Sequence, residues 1–177
     1  MNHKEQVILV DEHDHEIGTE EKLAAHRLGK LHRAFSVFIF HPTTKELLLQ
    51  QRQFDKYHCG GLWTNTCCSH PHPGENIIAA AERRLAEEMG IQTSLRTVGA
   101  FQYTAHFDNG LIENEYDHVL IGFSTTKQVN FDKKEVAATR WITVVDLNTE
   151  LKLHPEKFTP WFSAALTLAT KRLGDAL

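Results

Sequence analysis

The sequence predicts an α/β (α+β) sandwich on a mixed β-sheet. Three observations predict it. Apolar runs of strand length outnumber helical ones, the two kinds alternate irregularly, and 177 residues suffice for one domain with a sizeable core. Composition agrees: 41% hydrophobic and 24% charged residues are ordinary for a soluble globular chain.

The elements follow in order. "EQVILVD" reads as a first strand and "EHDHE" as a turn. "TEEKLAAHRLGKL" has helical composition, punctuated by Gly29. "RAFSVFIFH" is a buried strand, "PTTKE" a hairpin turn and "LLLQQR" the returning strand. Residues 53–75 form a long irregular stretch, and loops of that length are commonly functional. "ENIIAAAERRLAEEMG" is a helix: Ile77, Ile78, Ala81, Leu85 and Met89 recur on one side and Gly90 stops it. "VGAFQYTAHF", the turn "DNG" and "LIENEYDHVLIGF" make a β-hairpin. "TRWITV" is a further strand. "KFTPWFSAALTLATKRL" closes the chain as an amphipathic helix with Phe158, Trp161, Phe162, Ala165 and Ala169 along one stripe. No repeat, low-complexity segment or linker interrupts the chain, so residues 1–177 read as a single domain.

Several function classes are excluded at this level. A net charge of -4 does not supply the basic stripe that nucleic acid needs. No apolar run approaches the ~20 residues of a membrane span. The start has too short an apolar stretch and too many acids for a signal peptide, which leaves the cytoplasm as the default location. Three cysteines, two of them adjacent, do not make a disulfide framework. Of the twelve histidines, His3, His13, His15 and His154 sit in polar stretches and read as solvated surface.

The segment "TNTCCSHPHPGE" poses the functional question: a metal cage, a redox pair or a reactive thiol. Adjacent cysteines reach each other poorly, and there is no Cys-x-x-Cys. A cysteine-rich zinc site would need more thiols at wider spacing. In the following helix Glu82, Arg83, Arg84, Glu87 and Glu88 lie away from the core. By themselves they read as a solvated face with Arg83–Glu87 and Arg84–Glu88 pairs. In "IENEY", Glu113 and Glu115 point to one face of a strand and Asn114 to the other. Two carboxylates so close favour a shared metal or a raised pKa. His26, His32 and His70 can complete the metal option, although the spacing of His26 and His32 across Gly29 is weak on its own.

The helix and its approach resemble the Nudix box: Glu75 stands eight before Arg83, and Leu85, Glu87, Glu88 and Gly90 follow in place. Ser69 replaces the first glycine of the box, and Arg84 replaces a glutamate. A hydrolase of this kind holds Mg²⁺ on a diphosphate through its helix carboxylates, so Arg84 removes a metal ligand and adds a donor for phosphate oxygens. Trp63-Thr64-Asn65, Cys68 and His70-Pro71 just ahead of the box extend the resemblance. With landmarks from Lys22 to Trp161, the chain looks like a type 1 isopentenyl-diphosphate Δ-isomerase, a branch of the Nudix superfamily.

The resemblance implies a Nudix-like α/β/α sandwich and the interconversion of isopentenyl and dimethylallyl diphosphate, in isoprenoid precursor synthesis. That chemistry needs two acid/base groups on opposite faces of the substrate, a dry pocket, and aromatic faces that tolerate a carbocation. By the family pattern the acid/base groups are Cys68 and Glu115, with Tyr103 able to relay a proton or face the cation and Trp161 covering the hydrocarbon tail. A divalent metal falls to His26, His32, His70, Glu113 and Glu115; the mixed shell suits Mn²⁺ or Zn²⁺ better than Ca²⁺. Lys22, Arg52, Lys56 and Arg84 would grip the diphosphate, with Glu88 holding Mg²⁺. Cys67 reads as a small buried hydrophobe. Cys59 has no assigned role. His72 reads as a loop residue with ligand capacity. The implied partner is a small-molecule diphosphate, not nucleic acid or membrane, on a monomer, with a dimer left open. Two rival readings stand beside it: a Nudix hydrolase of a nucleoside diphosphate derivative, and a non-catalytic domain that binds metal or a partner.

Overall fold

The computed structural model describes residues 5–174; His3 lies outside them. Nine strands among the described residues form one mixed sheet. In chain order the elements are β1 (Gln6–Val10), β2 (Glu16–Glu21), α1 (Lys22–Leu28), β3 (His32–Phe40), β4 (Leu47–Arg52), β5 (Trp63–Thr64), β6 (Cys67–Ser69), α2 (Ile77–Met89), β7 (Arg96–His106), β8 (Ile112–Phe123), β9 (Val136–Ile142), α3 (Val144–Leu153) and α4 (Phe162–Leu173). β3 is the centre. It runs parallel to β8, from His32↔Glu115 to Phe40↔Phe123, and antiparallel to β1, β4 and β6.

The sheet separates two helices. Alternation sends Phe35, Val37, Ile39 and Leu120 to one face, where they meet Ala80, Ala81, Leu85 and Met89 of α2. Phe38, Phe40, Val119 and Ile121 go to the other face, where Phe162, Ala165, Leu166 and Ala169 of α4 cover them. The expected helical faces are therefore the buried ones, and the α/β/α arrangement follows.

The Nudix-like helix starts and stops as its residues dictate. The Asn76 side chain accepts from the Ile78 and Ala79 amides at 2.9 and 3.4 Å, satisfying orphan donors of the first turn. Gly90 ends it at φ 65°, where a Cβ would stand 2.6 Å from the Asn130 carbonyl oxygen.

Three expectations need correction. The helix expected from Thr19 begins only at Lys22. Residues 16–21 instead form β2, paired with β1 at Ile8↔Thr19, and the Glu21 carboxylate caps α1 through the Leu23 and Ala24 amides. The closing helix begins at Phe162 rather than Lys157, because Thr159 N–H bonds the Trp63 carbonyl at 3.0 Å and ties that segment to β5. α3 was not expected. It buries only Leu147 fully, so it carries no apolar stripe to read.

Candidate active site

The site arises where the sheet splits. β3 and β4 pair at Phe40↔Leu47 and then diverge. Residues 63–69 cross the gap, pairing with β4 at Gln50↔Thr64 and with β3 at Ser36↔Cys68. The long irregular stretch thus ends in two short strands that fill the opening. A cavity of about 350 Å³ lies there. Cys68, His70, Glu88, Glu113, Glu115, Arg52, Arg84 and Trp161 are among the residues that line it. β6 and β8 flank β3 on its two sides, so Cys68 and Glu115 reach the one cavity from different edges of the same central strand.

On β8 the alternation puts Glu113, Glu115 and Asp117 on the face of β3 that carries His32 and Ser36. His26, His32, His70 and Glu115 are all buried, and one donor atom from each falls within 4.8 Å of the others. The imidazole tautomers are set by carbonyls, which can only accept. His26 Nδ1 lies 2.7 Å from the Lys22 carbonyl oxygen and His32 Nδ1 2.8 Å from that of Lys30. Each Nδ1 therefore donates, and each Nε2 lone pair faces the cluster. Both Nε2 atoms are buried without a hydrogen-bond partner, as is Glu113 Oε2. These orphaned acceptors, beside a buried carboxylate, are the donor set a divalent cation requires.

The electrostatics divide the cluster: two of its imidazoles are kept neutral, and the third is drawn to the buried carboxylate. Burial presses His26 and His70 down to about 4, so both rings are neutral. Burial works against the His32 cation too, but the Glu115 carboxylate, 3.6 Å from His32 Nε2, raises it overall. Burial opposes the Glu115 charge, yet the His32 and His70 contacts hold this carboxyl well below the usual range; His70 Nε2 stands 3.1 Å from its Oε1. Glu113 is pushed far up, by burial and then by Glu115. Glu113 adjoins the four-residue group without belonging to it, because its Oε1 pairs with His58 Nε2.

The four basic residues line the cavity, and three of them already hold a carboxylate. Lys22 pairs with Glu5 at 3.1 Å, Lys56 with Glu135, and Arg84 with Glu88 at 2.7 Å. Arg52 Cζ lies 5.7 Å from the Trp161 ring centroid, which sets a cation against the aromatic wall. Glu88 is buried, not solvated. It accepts from Gln50 Nε2 and Arg84, and burial raises its carboxyl. Arg83 turns back to Glu75, at 2.6 and 2.9 Å.

Cys68 is half-buried, and burial pushes its thiol up to about 12. Its sulfur donates to Asn65 Oδ1 at 3.1 Å and lies 3.9 Å from Ser36 Oγ. Tyr103 is the cross-strand partner of Glu115, and its ring centroid stands 6.1 Å from that of Trp161. The Tyr103 hydroxyl is buried and unpaired. Cys67 is fully buried in the α2 core. Cys59 is half-buried at φ 54°. His72 is exposed and sits beside Glu75, away from the histidine cluster.

Four contributors escaped the sequence reading: His58, Ser36, Asn65 as a side chain with its own contacts, and Asp117. Asp117 had a signal, since it continues the two-residue period of Glu113 and Glu115. His58 had none, because an irregular loop has no period.

Comparisons with known proteins define the class to which this fold and site belong. The NUDIX domain model matches residues 30–162, so the chain belongs to that family. Solved structures with the same fold include a Deinococcus radiodurans protein (TM-score 0.75, 18% identity, covering 94% of this chain and 98% of that one). The MutT protein of Methanosarcina mazei is another (TM-score 0.64, 16% identity, 80% and 95% covered). Within the family the chain belongs with the isopentenyl-diphosphate Delta-isomerases. It is 48% identical to that of Photobacterium profundum over 97% of this chain and 98% of the relative. It is 49% identical to that of Burkholderia multivorans over 94% and 93%.

Proposed function

We propose that this chain interconverts isopentenyl and dimethylallyl diphosphate, as the names of its relatives indicate, and does so as a single domain. The observation that carries the reading is the joint presence of Cys68 and Glu115 in one cavity, reached from the two sides of β3. The reaction adds a proton at one end of a three-carbon unit and removes one from the other. Two groups on different walls can do this without moving the substrate. Because the reaction is reversible, each group donates in one direction and accepts in the other.

Lys22, Arg52, Lys56 and Arg84 hold the diphosphate; Lys22, Lys56 and Arg84 exchange their carboxylate partners for phosphate oxygens, while Arg52 brings a guanidinium with no carboxylate partner among the described residues. The Arg52–Trp161 contact joins this clamp to the wall that covers the hydrocarbon tail. Trp161 and Tyr103 present aromatic faces to the developing cation and exclude water from it. His26, His32, His70 and Glu115, with Glu113 beside them, would hold Mn²⁺ or Zn²⁺, and Glu88 would hold Mg²⁺ with the substrate. The metals supply positive charge that tunes the proton affinity of Glu115 and neutralises the diphosphate. The reading needs neither nucleic acid nor membrane, and no helix among the described residues is long and apolar enough to cross one. We assign it to the cytoplasm, serving isoprenoid precursor synthesis.

The test is isomerisation of isopentenyl diphosphate in deuterium oxide, followed by NMR. Deuterium enters the product with wild type, and turnover is abolished in Cys68→Ala and Glu115→Gln. Near-wild-type turnover in either variant refutes the acid/base assignment. Release of phosphate or pyrophosphate from nucleotides, without allylic isomerisation, supports the hydrolase reading instead.

A further inference from the structure

Asn65 is fully buried in the segment that crosses the split sheet, and its polar contacts converge on two residues of the cavity. Its Nδ2 donates to the Cys67 carbonyl at 2.9 Å and the Val37 carbonyl at 3.2 Å. Both amide hydrogens are thereby used, and the orientation of the carboxamide is determined: the oxygen must point the other way. There Oδ1 accepts from Cys68 Sγ at 3.1 Å and from Trp161 Nε1 at 3.2 Å. Thr64 Oγ1 also approaches it, at 2.9 Å, but has an alternative partner in Thr159 Oγ1 at 2.8 Å. Two lone pairs on one oxygen thus serve the thiol and the indole.

We infer that Asn65 is a positioning residue whose carboxamide oxygen holds the Cys68 thiol and the Trp161 indole in one fixed relation across the cavity wall. The inference rests on the functional reading above. Without this oxygen, Cys68 on β6 and Trp161 at the start of α4 share no polar contact, although they are 93 positions apart in the chain. The residue type matters. A hydrophobic side chain takes the acceptor from the Cys68 thiol and the Trp161 indole and the donor from the Val37 and Cys67 carbonyls. An aspartate sets an oxygen against the Val37 and Cys67 carbonyls and adds buried charge. Asn65 makes no direct contact with the basic residues of the cavity and reaches Arg52 only through the Trp161 ring, so it acts first on the geometry of proton transfer.

The experiment compares Asn65→Ala with wild type in kinetics and in thiol chemistry. Isomerisation should lose at least ~10-fold in kcat, with KM for isopentenyl diphosphate within about threefold, because a misplaced reacting group is felt in the transition state. A thiol released from Oδ1 can turn outward. Iodoacetamide should therefore label Cys68, read by mass spectrometry of its peptide, several-fold faster than in wild type. Bound-metal content and circular dichroism should match wild type, which a general structural failure would not allow. Should Asn65→Ala fail to fold, Asn65→Ser keeps a polar partner for the carbonyls but is too short to reach the thiol, and it gives the same readings. A folded variant with kcat within threefold of wild type, or with wild-type labelling of Cys68, overturns the inference. If the wild-type chain does not isomerise the diphosphate, the functional reading falls, while the labelling arm still decides whether Asn65 restrains the thiol.

Discussion

Asp117→Asn should make this protein more stable, and increasingly so as pH rises. Asp117 is buried on β8; its Oδ2 accepts from Ser36 Oγ at 2.7 Å, and its Oδ1 is buried with no partner. Burial, with Glu115 and Glu113 adding like charge, raises its carboxyl well above the ordinary 3.8. Between those two values the folded chain keeps a proton that the unfolded chain has released. Stability therefore falls as pH rises, by about 1.4 kcal/mol per pH unit from this group. For a chain of 177 residues that is roughly 3–6 °C of Tm per unit. Asparagine has the same shape and no such proton. Thermal melts of both proteins at equal metal content should show a small difference near pH 4. The gap should then widen with pH until the raised carboxyl itself ionises. Other titrating groups act in both proteins and cancel. A difference that stays flat from about pH 4 to 8, or that narrows, refutes a protonated Asp117 and with it the account of this buried carboxyl.

Three further outcomes are expected. His26→Ala removes one of four converging donors and should weaken retention of a divalent metal at least ~10-fold, measured by elemental analysis after dialysis against graded chelator. Arg84→Ala should raise KM for isopentenyl diphosphate roughly 10–100-fold, the worth of one charge-assisted bond to phosphate, in steady-state assays; an unchanged KM would take Arg84 out of the clamp. Leu85→Ala opens a hole between α2 and the sheet and should cost about 2–5 kcal/mol in urea titrations, with the denaturant slope unchanged.

Much of the scaffold was legible because its signals are local. Gly90 had to end a helix, Asp108-Asn109-Gly110 had to turn a hairpin, and the apolar period over 77–89 matched the face that α2 buries. β2 was misread because Glu16–Glu21 holds no apolar alternation; its strand state comes from pairing with β1, a partner the local sequence does not reveal. The sequence motifs led to Cys68, Glu88, Glu113 and Glu115, and all four line the cavity. They gave no indication that Glu113 would lean toward His58 and leave the tight group to His26, His32, His70 and Glu115.

The linear order of residues determined the family, the helix that carries Glu88 and Arg84, and the chemical types available for proton transfer and phosphate binding. These depend on spacing within a few turns or one hairpin, and short-range stereochemistry enforces them. Folding decided which of these groups share a cavity, how deep each carboxyl and imidazole is buried, and which orphaned atoms face one another. Those properties come from the parting of β3 from β4 and from residues 63–69 crossing between them. Desolvation and charge coupling depend on distances between segments far apart in the chain, and only the closed fold sets those distances.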